Sequence, residues 1–215
     1  MALFVAVLLI SNIASTKIVQ LGFFSFDGGT LIFPLSYIFG DVLTEVYGYA
    51  LNRRVVWIGF LSAFLMSLVL ILVVYLPPAQ GWEYNDAFKN ILGLTPRIVF
   101  ASLIAYLAGN FSNSYIMAKM KIIFKGKMLW LRTIGSTLVG EGLDTILFVF
   151  IAFFNVLPFS LVLSIFISNY IFKCGVEILF TPFTYKIISF LKKEENEDYY
   201  DNKTNFNPFK LKENF

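Results

Sequence analysis

Six apolar runs, each long enough to cross about 30 Å of hydrocarbon as a helix, lie at about residues 1–19, 30–50, 55–76, 97–118, 133–155 and 159–190. Inside a bilayer every backbone N–H and C=O must find its partner within the protein, and a single run of this length does so as a helix. The runs predict an all-α polytopic membrane protein, a bundle of six transmembrane helices. Composition agrees: 58% of residues are hydrophobic, 25 are Phe, and only 14% are charged, too few for a soluble surface.

The connections predict the orientation. Arg53 and Arg54 follow the second run, and Lys119, Lys121, Lys125, Lys127 and Arg132 surround the turn after the fourth, so those ends are expected in the cytoplasm. The alternate connections carry Asp27, then Glu83 and Asp86 with Lys89 and Arg97, then no charge in "NVLPFS". Both termini are then cytoplasmic. The first run lacks the basic region of a signal peptide, so it is not read as a cleaved leader, and the natural chain is expected to begin a few residues earlier. Between Pro77 and Pro96, Trp82, Tyr84 and Phe88 among polar residues predict a short helix capping the lipid surface. After Leu191 the sequence turns to "KKEENEDYYDNKTNFNPFKLKENF", which sets a transmembrane domain at 1–191 and a polar cytoplasmic tail without catalytic content at 192–215.

The chain has no His and one Cys, which removes the usual zinc sites, Ser-His-Asp and Cys-His arrangements, and any intrachain disulfide. Cys174, inside an apolar run, reads as a small buried hydrophobe. No enzyme activity, metal or cofactor is expected. The formal charge of +3 is dispersed among connections and not gathered on one face, so no nucleic-acid partner is expected either.

Polar residues inside the runs recur at helical spacing, so each set shares a face. They are Asn12 and Thr16; Tyr37, Asp41 and Glu45; Tyr106, Asn110, Asn113 and Ser114; Thr133, Thr137, Glu141 and Asp144; and Asn169, Lys173 and Glu177. The third run has only Ser62 and Ser67, which makes it the mainly lipid-facing helix. An ionised residue at a helix centre costs ~2.5–3.5 kcal/mol on insertion scales, so acids here need compensation. Asp41, Glu45, Glu141, Asp144 and Glu177 face one clear intramembrane cation, Lys173, with Lys17 and Arg132 near span ends as further candidates. The remaining acids are protonated, matched by a bound cation, or turned toward donors on a substrate. Lys173 and Glu177, at i and i+4, read as an internal ion pair, and Asn110, Asn113 and Ser114 divide evenly between a site and interhelical glue. Pro34, Gly40 and Gly48 bracket the second run's acids, and Gly135, Gly140 and Gly142 those of the fifth, which predicts a site where these two helices cross.

Several segments together resemble one family. "SNIASTK" at 11–17, "FPLSYIFGDVLTEVYGY" at 33–49, "GNFSNSYIMAKMK" at 109–121, "GKMLWLRTIGSTLVGEGLDT" at 126–145 and "KCGVEILFTPFTYKI" at 173–187 resemble the bacterial queuosine precursor transporters, the vitamin uptake transporter family. Thr145 stands where Ser is expected. The resemblance implies a multi-pass protein of the bacterial inner membrane that imports deazaguanine bases, in the nitrile, aminomethyl or queuine form, for tRNA modification. A guanine-like edge offers adjacent N–H donors that a carboxylate accepts in pairs. On this reading Asp41, Glu45, Glu141 and Asp144 serve base recognition or proton coupling, Asn110 and Asn113 meet the other polar edges, and Tyr37 or Tyr106 stacks on the ring. Lys173, Glu177, Asn169 and Lys17 support the site. The partners are then a small-molecule base and membrane lipid, with coupling to a proton or cation and homo-oligomerisation left open.

Two other readings compete. One is the substrate-binding subunit of an energy-coupling-factor vitamin transporter; Ala2 and Ala6 offer small-xxx-small spacing for docking, and no Walker motif is present. The other is an intramembrane aspartyl protease, with Asp41 of "YIFGD" and Asp144 of "GEGLD" sharing a proton.

Overall fold

The computed structural model describes residues 1–21, 24–93, 96–155 and 158–210. The first apolar run does not continue to residue 19 as expected. Helix α1, Ala2–Ala14, ends where Ser11, Ser15 and Thr16 turn their hydroxyls back onto main-chain carbonyls of the preceding turn. At 1.5 Å per residue its 13 residues reach about 20 Å, short of a full crossing. The chain then forms an antiparallel hairpin of β1, Ile18–Leu21, and β2, Phe24–Asp27, with Ile18 opposite Asp27 and Leu21 opposite Phe24. Branched Ile18 and Val19 and aromatic Phe24 and Phe26 suit a strand better than a helix end. Gly28 N donates to Lys17 O at 2.7 Å and closes the base of the hairpin. This short hairpin interrupts an otherwise all-α architecture, in which the other regular elements of the described residues are helices.

A 3-10 turn at Gly28–Leu31 leads into α2, Pro34–Tyr47, which starts on a proline whose missing N–H costs nothing at a first turn. Between α2 and α3, Tyr49–Tyr75, stands only Gly48, at φ +84, a conformation that suits glycine. Arg53 and Arg54 therefore lie inside α3 and not in a connection, and Arg53 is fully buried. The short helix expected between Pro77 and Pro96 is α4, Asn85–Leu92. Then follow α5, Pro96–Ile123; α6, Leu129–Phe153; and α7, Phe159–Glu194. Among the described residues, three helices are long and apolar enough to cross a membrane: α3, Leu129–Ala152 of α6 and Val162–Glu194 of α7. The outer half of α3 presents Leu61, Phe64, Leu65, Leu68, Val69 and Leu72 outward, as its lack of polar residues predicts.

Helices α5 and α6 cross at close range. A Cβ on Gly140 would stand 2.8 Å from Asn113 Cβ and 3.0 Å from Gly109 O, and a Cβ on Gly109 would collide with the Tyr37 hydroxyl. Two glycines thus let α5 and α6 touch backbone to backbone with the Tyr37 ring of α2 lodged against both. On the other side of α5, Phe4 and Leu8 of α1, Val55, Val56 and Ala63 of α3 and Tyr106 of α5 form the apolar core.

The polar segment after α7 folds back as a strap across the bundle end. Tyr199 N donates to Val46 O at 3.0 Å, and Asp201, buried, accepts the Tyr49 amide through both oxygens at 3.0 and 3.2 Å. Asp201 thereby caps α3 from 152 positions away, in place of a local cap. Arg53 Nη1 donates to Asn205 O and Asn207 O, Tyr49 Oη to Phe206 O, and Trp57 Nε1 to Pro208 O.

Candidate functional site

The intramembrane acids fall into two groups. Glu45, near the end of α2, is enclosed by cations from three other helices. Arg132 of α6 grips both its oxygens, Lys192 of α7 donates to Oε1 at 2.7 Å, and Lys121 of α5 stands 3.7 Å away. Lys121 also donates to the Glu45 main-chain oxygen, to Asp198 at 2.6 Å and to Tyr199 O at 2.8 Å. Lys192 meets the same Asp198 at 2.8 Å, so the strap completes the cluster. Burial opposes ionisation of Asp198, but the hydrogen bonds from Lys121 and Lys192 outweigh it and hold the carboxyl below its usual range. Arg132, expected as a neutraliser, acts as one; Lys121, expected as a topology signal, is buried in the same knot.

The second group lies among α2, α5, α6 and α7. Asp41 Oδ1 accepts from Asn113 Nδ2 at 2.7 Å, while Asp41 Oδ2 and Asn113 Oδ1 are buried without partners. Lys173 Nζ donates to Asp144 Oδ2 at 2.6 Å and lies 3.1 Å from Glu141 Oε2, within ion-pair range but outside hydrogen-bond geometry. Its ammonium also stands 4.5 Å from the centre of the Phe33 ring. The expected Lys173–Glu177 pair is corrected: Lys173 reaches across to α6, and Glu177 Oε1 instead accepts from Thr137 at 2.6 Å. A lysine shared by two carboxylates on a facing helix gains more than one paired along its own turn. Glu177 Oε2, Asn169 Oδ1 and the hydroxyls of Tyr37, Thr44 and Thr145 complete the buried groups without hydrogen-bond partners around this core.

Other predicted residues sit apart. Tyr106 is buried in the apolar core and donates to Val56 O at 3.2 Å, and Asn110 donates to Tyr106 O at 3.1 Å. Lys17 is exposed beside the hairpin. Asn52, which the stripes did not single out, donates to Ser114 and leaves its own carbonyl oxygen unpartnered. Its signal was its place four residues after Gly48, on the face α3 turns toward α5. Asp41 and Asp144, bound to Asn113 and Lys173 respectively, do not form the hydrogen-bonded dyad that the protease reading requires. What the arrangement supplies is a buried surface with more acceptor atoms than donors left unpartnered, suited to a ligand rich in donors.

The family described as "Putative vitamin uptake transporter" matches residues 27–187. The chain is 31% identical over 186 residues, 86% of its length and 81% of the relative's, to the "Probable queuosine precursor transporter" of Bacillus subtilis (strain 168). It is 26% identical to the "Queuosine precursor transporter" of Escherichia coli (strain K12) over 71% of this chain and 67% of that protein. A "Probable queuosine precursor transporter" of Haemophilus influenzae (strain ATCC 51907 / DSM 11121 / KW20 / Rd) is also 26% identical, over 61% of this chain and 54% of its own. No solved structure matches the chain. The matched region runs from the end of β2 through most of α7 and contains Asp41, Glu45, Glu141, Asp144 and Glu177; on that match this multi-pass membrane protein belongs to the vitamin uptake transporter family.

Proposed function

We propose that the chain imports queuosine precursors, deazaguanine bases used in tRNA modification, across the bacterial inner membrane without covalent chemistry. The observation that carries this reading is the pairing of Asp41 with Asn113, which leaves one carboxylate oxygen and one amide oxygen buried and unpartnered. Two such acceptors suit the N–H donors of a guanine-like edge, and the names of the three relatives supply the substrate class. Asp41 and Asn113 read the base edge, Tyr37 offers an aromatic face, and Glu141, Asp144 and Lys173 form the charged wall opposite. Glu45, Asn110 and Tyr106 support this site by fixing the helices around it. The bundle crosses the membrane six times with both termini in the cytoplasm; α1 and α2 are the short members.

The test is tRNA queuosine content in cells that neither make queuosine nor import its precursors, expressing this chain and fed single deazaguanine bases at low concentration. Recovery with at least one base is the expected result. No recovery with any base, despite verified membrane expression, refutes the reading.

A further inference from the structure

The core around Asp41 and Asn113 lies among α2, α5, α6 and α7, and helical spacing places two packed layers between it and the strap. On α5, Met117 stands one turn beyond Asn113, and Lys121 one turn beyond Met117. On α6, Ser136 stands one turn from Arg132 on the way to Glu141. Met117 and Ser136 are fully buried, with Ser136 Oγ 3.9 Å from Met117 Sδ. The next layer is the Glu45 cluster, where Lys121, Arg132 and Lys192 meet from three helices. A ring-shaped solute does not pass these layers while they are packed in this way.

The strap holds that packing from outside, and four consecutive residues do most of it. Asp198 accepts from Lys121 of α5 at 2.6 Å and pairs with Lys192 of α7 at 2.8 Å. The Tyr199 amide bonds to Val46 O of α2, and its ring covers Gly48. The Tyr200 ring lies 4.6 Å from the Lys121 ammonium and closes on Gly126 in the turn into α6, where a Cβ would collide with its hydroxyl. Asp201 caps α3. Among the described residues the three cations of the cluster share two carboxylates, Glu45 and Asp198, and only Glu45 belongs to the bundle. Withdrawal of the strap leaves three cations on one carboxylate, and the added repulsion falls between the ends of α5, α6 and α7. Residues 196–210 contain no helix, so the strap can leave without unwinding one.

We propose that the strap is the gate at this end of the bundle: residues 198–201 latch α2, α5, α7 and the turn into α6 over the core, and their release opens the route from Asp41 past Glu45. The inference rests on the transport reading above and adds the element that must move.

The experiment uses the full chain in lipid vesicles with p-azidophenylalanine in place of Tyr200, whose ring end already meets the turn between α5 and α6. Light ties the strap where it lies, and the same preparation kept in the dark controls for folding and transport. Uptake of a deazaguanine base should fall by about tenfold or more on irradiation, in proportion to the cross-link found by mass spectrometry. Undiminished uptake with the strap tied overturns the proposal. So does an equal loss when the same residue replaces exposed Tyr84 in the connection before α4, which would assign the effect to the light. No uptake by the unsubstituted parent refutes the transport reading instead, so the two failures are distinguishable. A second measurement needs no transport. Ser136→Cys, in a chain that also carries Cys174→Ala, should react with a water-soluble maleimide about tenfold faster once Asp198→Ala loosens the latch; an unchanged rate overturns the proposal.

Discussion

Asn113 Nδ2 donates to Asp41 Oδ1 across 2.7 Å, and the second oxygen of each residue has no partner. The bond joins α2 to α5 and orients a carboxylate toward the core. Asp41→Asn replaces an acceptor oxygen with an amide donor. Leaving a buried donor without its acceptor costs about 1–3 kcal/mol, so uptake at limiting base should fall by roughly five- to a hundredfold. Initial rates in vesicles, normalised to folded protein, check this.

Glu45 and Arg132 make a buried ion pair at the bundle end. Arg132→Met leaves a carboxylate that Lys192 and Lys121 only partly neutralise, and removing one partner of a buried pair costs about 3–5 kcal/mol. The loss is expected at the lower end of that range because two cations remain. Adding Glu45→Gln should restore part of the stability; a double variant weaker than the single one, in a detergent unfolding titration, contradicts this account.

Gly109→Ala forces a methyl against the Tyr37 hydroxyl and to 2.8 Å from Asp144 Cβ. Overpacking of a tight crossing costs about 1–3 kcal/mol. Tyr37→Phe in the same chain removes the first collision, so the double variant should melt at a higher temperature than Gly109→Ala alone, yet below the parent.

Asp201→Ala removes the remote cap of α3. Loss of a helix N-cap costs about 0.5–2 kcal/mol, and the strap loses its anchor at Tyr49 in the same step. Protease cleavage between residues 196 and 210 should accelerate while the helices stay intact; unchanged cleavage would show that Arg53 and Trp57 hold the strap unaided.

The strap also responds to acid. The Asp198 carboxyl is held below its ordinary range, chiefly by Lys121 and Lys192 acting against burial. A group depressed in the folded state contributes fully above its unfolded value and loses that contribution as the pH falls through the lowered one. A spin label at exposed position 203 should therefore stay ordered at neutral pH and grow mobile only under acidic conditions. Asp198→Asn should remove that part of the pH response.

The sequence made the long helices legible because apolar length and helical spacing are strong, local signals: the expected runs at 97–118, 133–155 and 159–190 fall within α5, α6 and α7 to a few residues. Part of the stripes on α2, α5, α6 and α7 meets in one core, whereas Glu45 is drawn into the strap's cluster and Tyr106 packs against α3. The break after Ala14 was hidden because a four-residue strand inside an apolar stretch has no period long enough to register. Lys121 and Arg53 were read by charge as connection residues, whereas each is buried against carbonyl oxygens. Those acceptors explain the strap's obscurity. Val46, Asn205, Phe206, Asn207 and Pro208 take part through their main chain, which side-chain composition does not display.

Asp201 and its neighbours leave the ribosome after every helix has been synthesised, and this order has a consequence for biogenesis. While α2 to α7 assemble, the Tyr49 amide and the Arg53 guanidinium lack the partners that residues 201–207 later bring. Assembly of the bundle end that the strap covers is then the last step, taken once the segment beyond Glu194 is free to move. A premature stop near residue 196 yields a product with helices α1 to α7 and an unfinished end. Quality-control proteases would find their grip there, and a fusion partner placed at that position would report insertion without reporting a completed fold.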